Sequence, residues 1–323
     1  MDIAIIGSGC IGLSVALKLQ AHKVTIFSSP EVSSASRIAA GLINPLVGMK
    51  ANLAYQGFEA LESATKLITS VDKECIIHRG IFRPAATPEM REWFPKSKAA
   101  WCTHGKQFYP DPLNLPGIYI DKALAIDAER YMNALKQLCE KQSVQFIEQH
   151  ISSLEDLKGY DRIIVAAGSG MKGLVHDSLG KLNLVKGQIL KYTTNETTNI
   201  ALSARAYLTI NNSLLTVGAT YEHFPKTDGV DIEEAEKIIL PKIAEFWPGL
   251  IHSKPLDAQA GLRCTNPSSL PIISRLREKT WAIGALGSKG FLYHAWIAEK
   301  ILPALLSDKS EDLPRELYAF KSL

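Results

Sequence analysis

The chain contains no apolar run that approaches the ~20 residues of a membrane-spanning helix, so no membrane span is expected. Its five cysteines, Cys10, Cys75, Cys102, Cys139 and Cys264, are odd in number and never spaced C-x-x-C. That pattern argues against a disulfide framework or a zinc site and for reduced thiols in a cytoplasmic protein. No group of His, Asp or Glu has metal-ligand spacing, so no metal is expected. Charge of one sign is also scarce: 36 basic against 33 acidic residues leave a net +3. This balance predicts no nucleic-acid binder, although it does not exclude weak or shape-based binding. Internal repeats and low-complexity tracts are absent, and the N-terminus reads as a strand the fold needs, not a cleaved leader. What remains is a globular chain of 323 residues, 46% apolar, long enough for about two domains.

The first thirty residues organise the rest. An apolar strand, Ile3-Ala4-Ile5-Ile6, runs into Gly7-Ser8-Gly9-Cys10-Ile11-Gly12, then a helical stretch, then Val24-Thr25-Ile26-Phe27. A G-x-G-x-x-G run between a strand and a helix is the dinucleotide fingerprint in its meaningful context. Gly7 allows the tight turn, Gly9 lets the backbone approach a pyrophosphate, and Gly12 lets the helix pack near the strand. The helix start offers free N–H groups and a positive dipole end to the phosphates. One element is missing. The acidic residue that normally ends the second strand is replaced by Ser28 and Ser29, and a serine hydroxyl bonds a ribose less strongly than a carboxylate. This segment alone leaves open which dinucleotide binds.

Further along, small residues fill Ser28–Ser36, followed by Arg37-Ile38-Ala39-Ala40-Gly41-Leu42. Such a loop either brings backbone amides to a flat or charged ligand or is merely flexible. Apolar periodicity predicts a helix over Tyr55–Val71, and the six prolines between Ile76 and Pro116 suggest irregular sheet or loops. A strand is expected at Gly117–Ile120, a helix over Asp127–Lys141 with Asp127 as its cap, a strand at Val144–Ile147, and over Asp161–Gly170 a buried strand followed by a small-residue turn. From Gly187 to Tyr221 alternation predicts antiparallel strands with Asn211-Asn212 as a hairpin turn. A helix follows at Ile232–Trp247, then short strands up to Gly284, and a final helix from Phe291 that Pro303 kinks or ends.

Six segments taken in order resemble the D-amino-acid-oxidase superfamily of FAD-dependent oxidoreductases. They are Gly7–Gly12, Ala39-Ala40-Gly41-Leu42, Val165-Ala166-Ala167-Gly168, Val217-Gly218-Ala219-Thr220, Gly261-Leu262-Arg263 and Gly287-Ser288-Lys289-Gly290. The glycine oxidase group and the oxidase half of a bifunctional tRNA wobble-uridine enzyme are the most similar subfamilies, without the methyltransferase half of the latter. The resemblance implies an α/β protein: a Rossmann-type FAD-binding domain over 1–50, 117–180 and 258–323, and a discontinuous antiparallel-sheet substrate domain over 51–116 and 181–257.

It also implies roles. FAD would be held by Gly7, Gly9, Cys10, Ile11, Gly12, Ser28, Ser36, Arg37, Ala40, Gly41, Leu42, Ala167, Gly168, Gly287, Ser288, Lys289, Gly290 and Phe291. Arg263 would pair with a substrate carboxylate, for which the planar, always charged guanidinium fork is suited; otherwise it is a structural or surface arginine. Tyr207 and Tyr221 would line the substrate pocket, against core or surface tyrosines. Lys289, with backbone donors and a helix N-terminus, would stabilise charge on the reduced flavin, against a solvated lysine. His223 and His294 have no motif partners and read as solvated or packed. The expected substrate is a glycine-like primary or secondary amino acid. Three alternatives stand beside it: a tRNA-borne amine, which the charge pattern does not support; an NADP-dependent dehydrogenase using Ser28, Ser29 and Arg37; and a flavin-binding protein without turnover. The sequence assigns no oligomeric state.

Overall fold

The computed structural model describes residues 1–29, 34–101, 105–106, 115–179 and 181–321. It opens with a β-α-β unit. The strand Asp2–Ile6 (β1) is buried at four of five positions, the helix Cys10–Lys18 (α1) follows the glycines, and the strand Lys23–Ser28 (β2) lies parallel beside β1. These form the middle of a six-stranded sheet. Its order is Ile272–Arg277, Thr280–Gly284, Arg162–Val165, β1, β2, Gln145–Glu148. All neighbours are parallel except the first two. Strands covered on both faces become continuous apolar runs. Ile3, Ile5, Val24 and Ile26 pack towards α1 and the helices Ala128–Lys141 and Gly290–Lys300, whereas Ala4, Ile6, Ile163 and Val165 meet Met171 and Val175 of a helix on the other side.

The second sheet is larger and mostly antiparallel. Its order is Asp257–Thr265, Asn183–Thr193, Leu214–Gly218, Tyr207–Asn211, Ala201–Ser203, Ile76–Pro84, Gly117–Ile126, Leu42–Ile43, with Gly105–Lys106 beside Gly117–Ile126. Leu190, Leu208 and Val217 on its back face pack against Ala235, Ile239 and Ile243 of the helix Ile232–Ala244.

Several expectations need correction. The proline-rich stretch is irregular sheet only in its first part: Ile76–Pro84 is a nine-residue strand whose pairing with Gly117–Ile126 carries two register shifts, whereas Pro88 opens a helix to Trp101 that was not expected. Proline is tolerated at both places because neither a strand's last residue nor a helix's first need donate its N–H. The hairpin turn is Asn212-Ser213, since Asn211 still pairs with Leu214 and Asn212 takes the positive φ of 54°. Gly117–Ile126, Leu42–Ile43 and Asp257–Thr265 belong to the large sheet, although the sequence groups all of them but Asp257 with the nucleotide-binding part. Conversely the helix Gly57–Asp72, grouped with the substrate part, buries Ala60, Leu61, Ala64 and Ile68 in the core under the six-stranded sheet. The final helix ends its regular part at Lys300, and a second, short helix begins at Leu302 with Pro303 in its first turn. Among the described residues no helix is long and apolar enough to cross a membrane.

Candidate active site

The glycine fingerprint is fixed by backbone, not by side chains. Gly7 has φ +111°, and a Cβ there would stand 2.3 Å from the Ala166 carbonyl oxygen, so no other residue fits without displacing the next strand. A Cβ on Gly12 would meet the Gly7 oxygen at 2.0 Å; this is how α1 lies so close to β1. No side chain caps α1 and no acid sits in its first turn. Its Cys10 N–H donates to Ser36 Oγ at 3.3 Å. The positive end of the helix thus faces an open, carboxylate-free space.

That space is a cavity of about 390 Å³, within the range of small-ligand pockets. Its wall includes Gly7, Gly9, Cys10, Ile11, Ser28 and Ser36, then Ala167 and Gly168, and Arg263, Gly287 and Gly290, the last with Cys10 Sγ 3.4 Å from where its Cβ would stand. The structure thereby gathers residues more than 250 positions apart in sequence onto one surface. Among the described residues the wall carries no Asp or Glu, and its titratable side chains are Cys10, His150, Arg263 and Cys264. Burial pushes the thiols of Cys10 and Cys264 up to about 11, so both remain neutral. A cation with no anion on the wall suits an anionic ligand.

Other predicted residues lie off this wall. Gly12 is buried in the α1–β1 contact, and Arg37 Nη1 donates instead to Asn133 Oδ1 at 2.5 Å. Ala40 and Gly41 precede Leu42, which pairs with Ala125 at the end of the large sheet. Phe291 packs edge-on against Tyr131 and His294 in the core. Ser288 is exposed, while Lys289 is half-buried and donates to the Ser269 carbonyl; burial lowers its pKa. Tyr207 and Tyr221 lie on the adjoining sheet face described below.

Ser29, which the sequence places with Ser28 where an acid is expected, carries a buried Oγ with no partner among the described residues. Two further wall residues, Gln149 and His150, were not legible in the sequence. Gln149 and His150 follow the edge strand Gln145–Glu148, whose Glu148 pairs with Ser28 and whose next N–H, from Gln149, donates to the Ser28 carbonyl at 3.0 Å. The available signal was positional: ligands of parallel sheets collect at the C-terminal strand ends. An orphaned serine hydroxyl, uncapped helix amides and an acid-free wall fit a dinucleotide diphosphate such as FAD.

The other half of the site is built on the large sheet. Cross-strand partners share a face, and so do residues two apart. Arg263 pairs with Val185, Gly261 with Gly187, Gly218 with Ile189, and Tyr207 with Gly218. Arg263, Gly187, Gly218 and Tyr207 therefore present one face, opposite the helix-covered one. Missing side chains make the room. A Cβ on Gly187 would stand 2.2 Å from Arg263 Nη2, one on Gly218 would stand 2.4 Å from the Tyr207 hydroxyl, and one on Gly261 would meet Ile38 at 2.2 Å. Arg263 is half-buried, and its one hydrogen bond among the described residues runs from Nη1 to the Thr220 carbonyl at 3.5 Å. Among the described residues no carboxylate forms an ion pair with it. Burial pushes the Tyr207 phenol up to about 12, against the pull of Arg263, so it remains a protonated donor. The backbone bridge between Lys186 and Glu222 sends Glu222 to the back and Tyr221 to the Arg263 face. Tyr221 is 52% exposed, its ring edge-on to His223 at 5.1 Å, and Phe224 beyond is 96% exposed.

His294 is buried and accepts from, or donates to, the Tyr131 hydroxyl at 2.7 Å; burial holds its imidazole down at about 4. It serves packing, as the sequence suggested. Among the described residues no three His, Cys, Asp or Glu side chains come together as a metal site.

Comparison with known proteins bears on the family and the fold. A family model described as FAD dependent oxidoreductase (DAO) matches residues 2–302. Among solved structures, glycine oxidase from Geobacillus kaustophilus superposes with a TM-score of 0.85 at 17% identity, covering 100% of this chain and 98% of that one. Iminodiacetate oxidase from Chelativorans gives 0.81 at 16% identity, covering 99% of each. The bifunctional protein MnmC of tRNA 5-methylaminomethyl-2-thiouridine biosynthesis from Idiomarina loihiensis is 24% identical over 93% of this chain. The chain spans 55% of that protein's length.

Proposed function

Because the chain belongs to the family of FAD-dependent oxidoreductases, we propose that it oxidises the C–N bond of a glycine-like or N-substituted amino acid. One observation carries this reading: the Arg263 guanidinium, which has no carboxylate partner among the described residues, lines the same acid-free cavity as Gly7, Gly9 and the start of α1. A rigid cationic fork there binds a carboxylate bidentately and so fixes the α-carbon next to it. The protonated Tyr207 phenol, on the same face, offers a further donor to that carboxylate. Bound FAD supplies the two-electron acceptor for the hydride that leaves the α-carbon. The imine so formed is hydrolysed by water. The wall offers no carboxylate as a general base, in keeping with a substrate that enters as the neutral amine. Glycine oxidase and iminodiacetate oxidase, the structural neighbours, are named for substrates of this kind.

The test is anaerobic bleaching of the purified flavoprotein by a panel of glycine and N-substituted glycines, with Arg263→Ala as control. Bleaching by members of the panel, with affinity and rate lost in the variant, is expected. An Arg263→Ala protein with unchanged affinity and rate overturns the assignment. The nicotinamide alternative gives way: the family is flavin-dependent, and Arg37 is engaged with Asn133 away from the wall.

A second reading places the same amine on a tRNA base. The exposed series Tyr221, His223 and Phe224 beside the Arg263 face favours it, since aromatic rings stack on bases. MnmC, by its name, belongs to tRNA modification. Salt-sensitive retention of tRNA and a mass change in its modified uridine would support this reading; neither occurring removes it.

A further inference from the structure

Behind the sheet that carries Arg263 lies a buried polar cluster that no step above uses. Lys186 is 1% exposed, Gln188 and Thr220 are fully buried, and Glu222 stands at their centre. Glu222 Oε2 is 3.8 Å from Lys186 Nζ. Glu222 Oε1 accepts from Thr220 Oγ1 at 2.6 Å and from Gln188 Nε2 at 3.0 Å. Thr220 Oγ1 in turn accepts from the Gln188 N–H at 2.9 Å, and Gln188 Oε1 accepts from the Asp231 N–H at 2.7 Å. The backbone is pinned as well. Lys186 and Glu222 exchange both N–H···O bonds at 3.0 Å, and Thr220 N–H donates to the Gln188 carbonyl at 3.2 Å. The Thr220 carbonyl is the acceptor for Arg263.

We propose that Lys186, Glu222 and Thr220 position Arg263, holding its guanidinium over Gly187 in the orientation that receives the substrate carboxylate. The proposal rests on the reading of Arg263 as the carboxylate ligand. Three features carry it. First, the cluster sits directly beneath the guanidinium: Lys186 and Gln188 flank Gly187 and project to the face opposite Arg263. Second, a buried ion pair gives a fold little that apolar residues would not. The same sheet face, a few residues along at Leu190 and Leu208, packs on its helix with apolar side chains alone. Third, the charges balance locally. Glu222 neutralises Lys186 behind the sheet, so the charge of Arg263 stays available for an incoming anion. A cation left unpaired behind Gly187 would repel Arg263 across one strand thickness. Lys186 and Glu222 touch no substrate and are positioning residues, acting through the Thr220 segment.

The experiment uses the FAD-loaded enzyme and acetate, a minimal carboxylate, whose binding is read from the flavin absorbance change. Thr220→Val, which keeps shape and carbonyl but removes the hydroxyl, and Glu222→Gln, which breaks the ion pair, are each expected to weaken acetate about tenfold. With an oxidised amine substrate the same variants raise KM about tenfold and leave kcat within about twofold, the signature of lost binding rather than lost chemistry. Thr220→Ser, which restores the hydroxyl, is expected to behave as wild type. Ile239→Val, on the helix packed against the same sheet face, controls for simple loosening and is expected to leave acetate affinity unchanged. Wild-type acetate affinity in either Thr220→Val or Glu222→Gln overturns the proposal, and so does an equal loss in Ile239→Val. If Thr220→Val yields no holoenzyme, Glu222→Gln alone and combined with Lys186→Met decide by the same readouts. The two ideas fail separately. Acetate binding unaffected by Arg263→Ala sinks the Arg263 reading, whereas an effect of Arg263→Ala without one of Glu222→Gln sinks only the positioning role.

Discussion

The Arg263 guanidinium occupies the place where a side chain on Gly187 would begin, with Nη2 only 2.2 Å from an ideal Cβ there and Cζ only 2.4 Å away. Gly187 is flanked by buried strand neighbours, so its backbone stays put, whereas the end of Arg263 is flexible and gives way. Gly187→Ala is therefore expected to fold and retain FAD while displacing the guanidinium. Substrate affinity should fall about tenfold or more, and the melting temperature by only a few degrees. Titration of a carboxylate into the holoenzyme, beside a thermal melt, checks this. Unchanged carboxylate affinity would show that the guanidinium does not work from this position.

Two other glycines should separate in the opposite sense. Gly7 combines φ +111° with a backbone oxygen 2.3 Å from its missing Cβ, and both sides are fixed by N–H···O bonds, Gly7 to Phe27 and Ala166 to Ile6, each 2.8 Å. Gly7→Ala is expected to cost several kcal/mol and to abolish stable FAD retention. Gly168 also has positive φ, 56°, but nothing lies within 4 Å of its Cβ position. Gly168→Ala should cost only about 1–2 kcal/mol, the left-handed penalty alone. Urea unfolding of the two variants, with flavin content, reads the difference.

How much of this was legible follows from what is local. The β1–α1–β2 unit was readable because its glycines, strands and helix start lie within thirty residues and each states its own requirement. Asp127 was readable as a cap for the same reason, and it accepts from the Arg130 N–H at 3.0 Å. Gly187 and Gly218 gave no such signal: each is needed only because a side chain from another strand lies over it. The Lys186–Glu222 pair was hidden likewise: nothing local marks Lys186 as one of the most deeply buried side chains. The prolines between Ile76 and Pro116 misled because Pro84 ends a strand and Pro88 opens a helix, where no N–H is needed, and that helix runs on through Pro95.

The serines at the end of β2 make a third prediction. Ser29 Oγ is buried, lines the cavity and lacks a partner, so a ribose hydroxyl would complete it. Ser29→Ala is expected to weaken FAD binding to the apoprotein by about fivefold to tenfold, the worth of one hydrogen bond. Ser28→Glu restores the carboxylate that such sites ordinarily carry and is expected to tighten FAD, since a charged acceptor bonds hydroxyls more strongly. Quenching of FAD fluorescence on titration gives both constants. Affinity unmoved by Ser29→Ala, or lowered by Ser28→Glu, would place the ribose elsewhere on the wall.

The last prediction concerns acid. Burial holds the His294 imidazole at about 4, below its usual 6.5, although its bond to the Phe291 carbonyl pulls the other way. Between those values the unfolded chain binds a proton that the folded protein refuses, so stability must fall as pH drops from 6.5 towards 4. Over the whole window this amounts to about 3 kcal/mol. Asp308 acts lower down. Burial alone would raise its pKa, but bonds from Arg275, the Lys279 N–H and Trp281, with the charge of Arg162, outweigh burial and hold it at about 2, against 3.8. Its contribution is complete above 3.8 and is lost as pH falls through 2. Urea midpoints measured from pH 7 to 3 should therefore decline in wild type. In His294→Gln, which can still bond the Tyr131 hydroxyl, the slope between 6.5 and 4 should lose about one proton. The remainder belongs to groups such as His78, whose pKa burial also lowers. Asp308→Asn keeps the shape and tolerates the positive φ of 59°, yet leaves the side chains of Arg162 and Arg275 without their anion. It should lower stability at pH 7 by about 2 kcal/mol and leave the His294 slope intact. If the slope between 6.5 and 4 were the same in His294→Gln and wild type, the buried, neutral state assigned to His294 would be wrong.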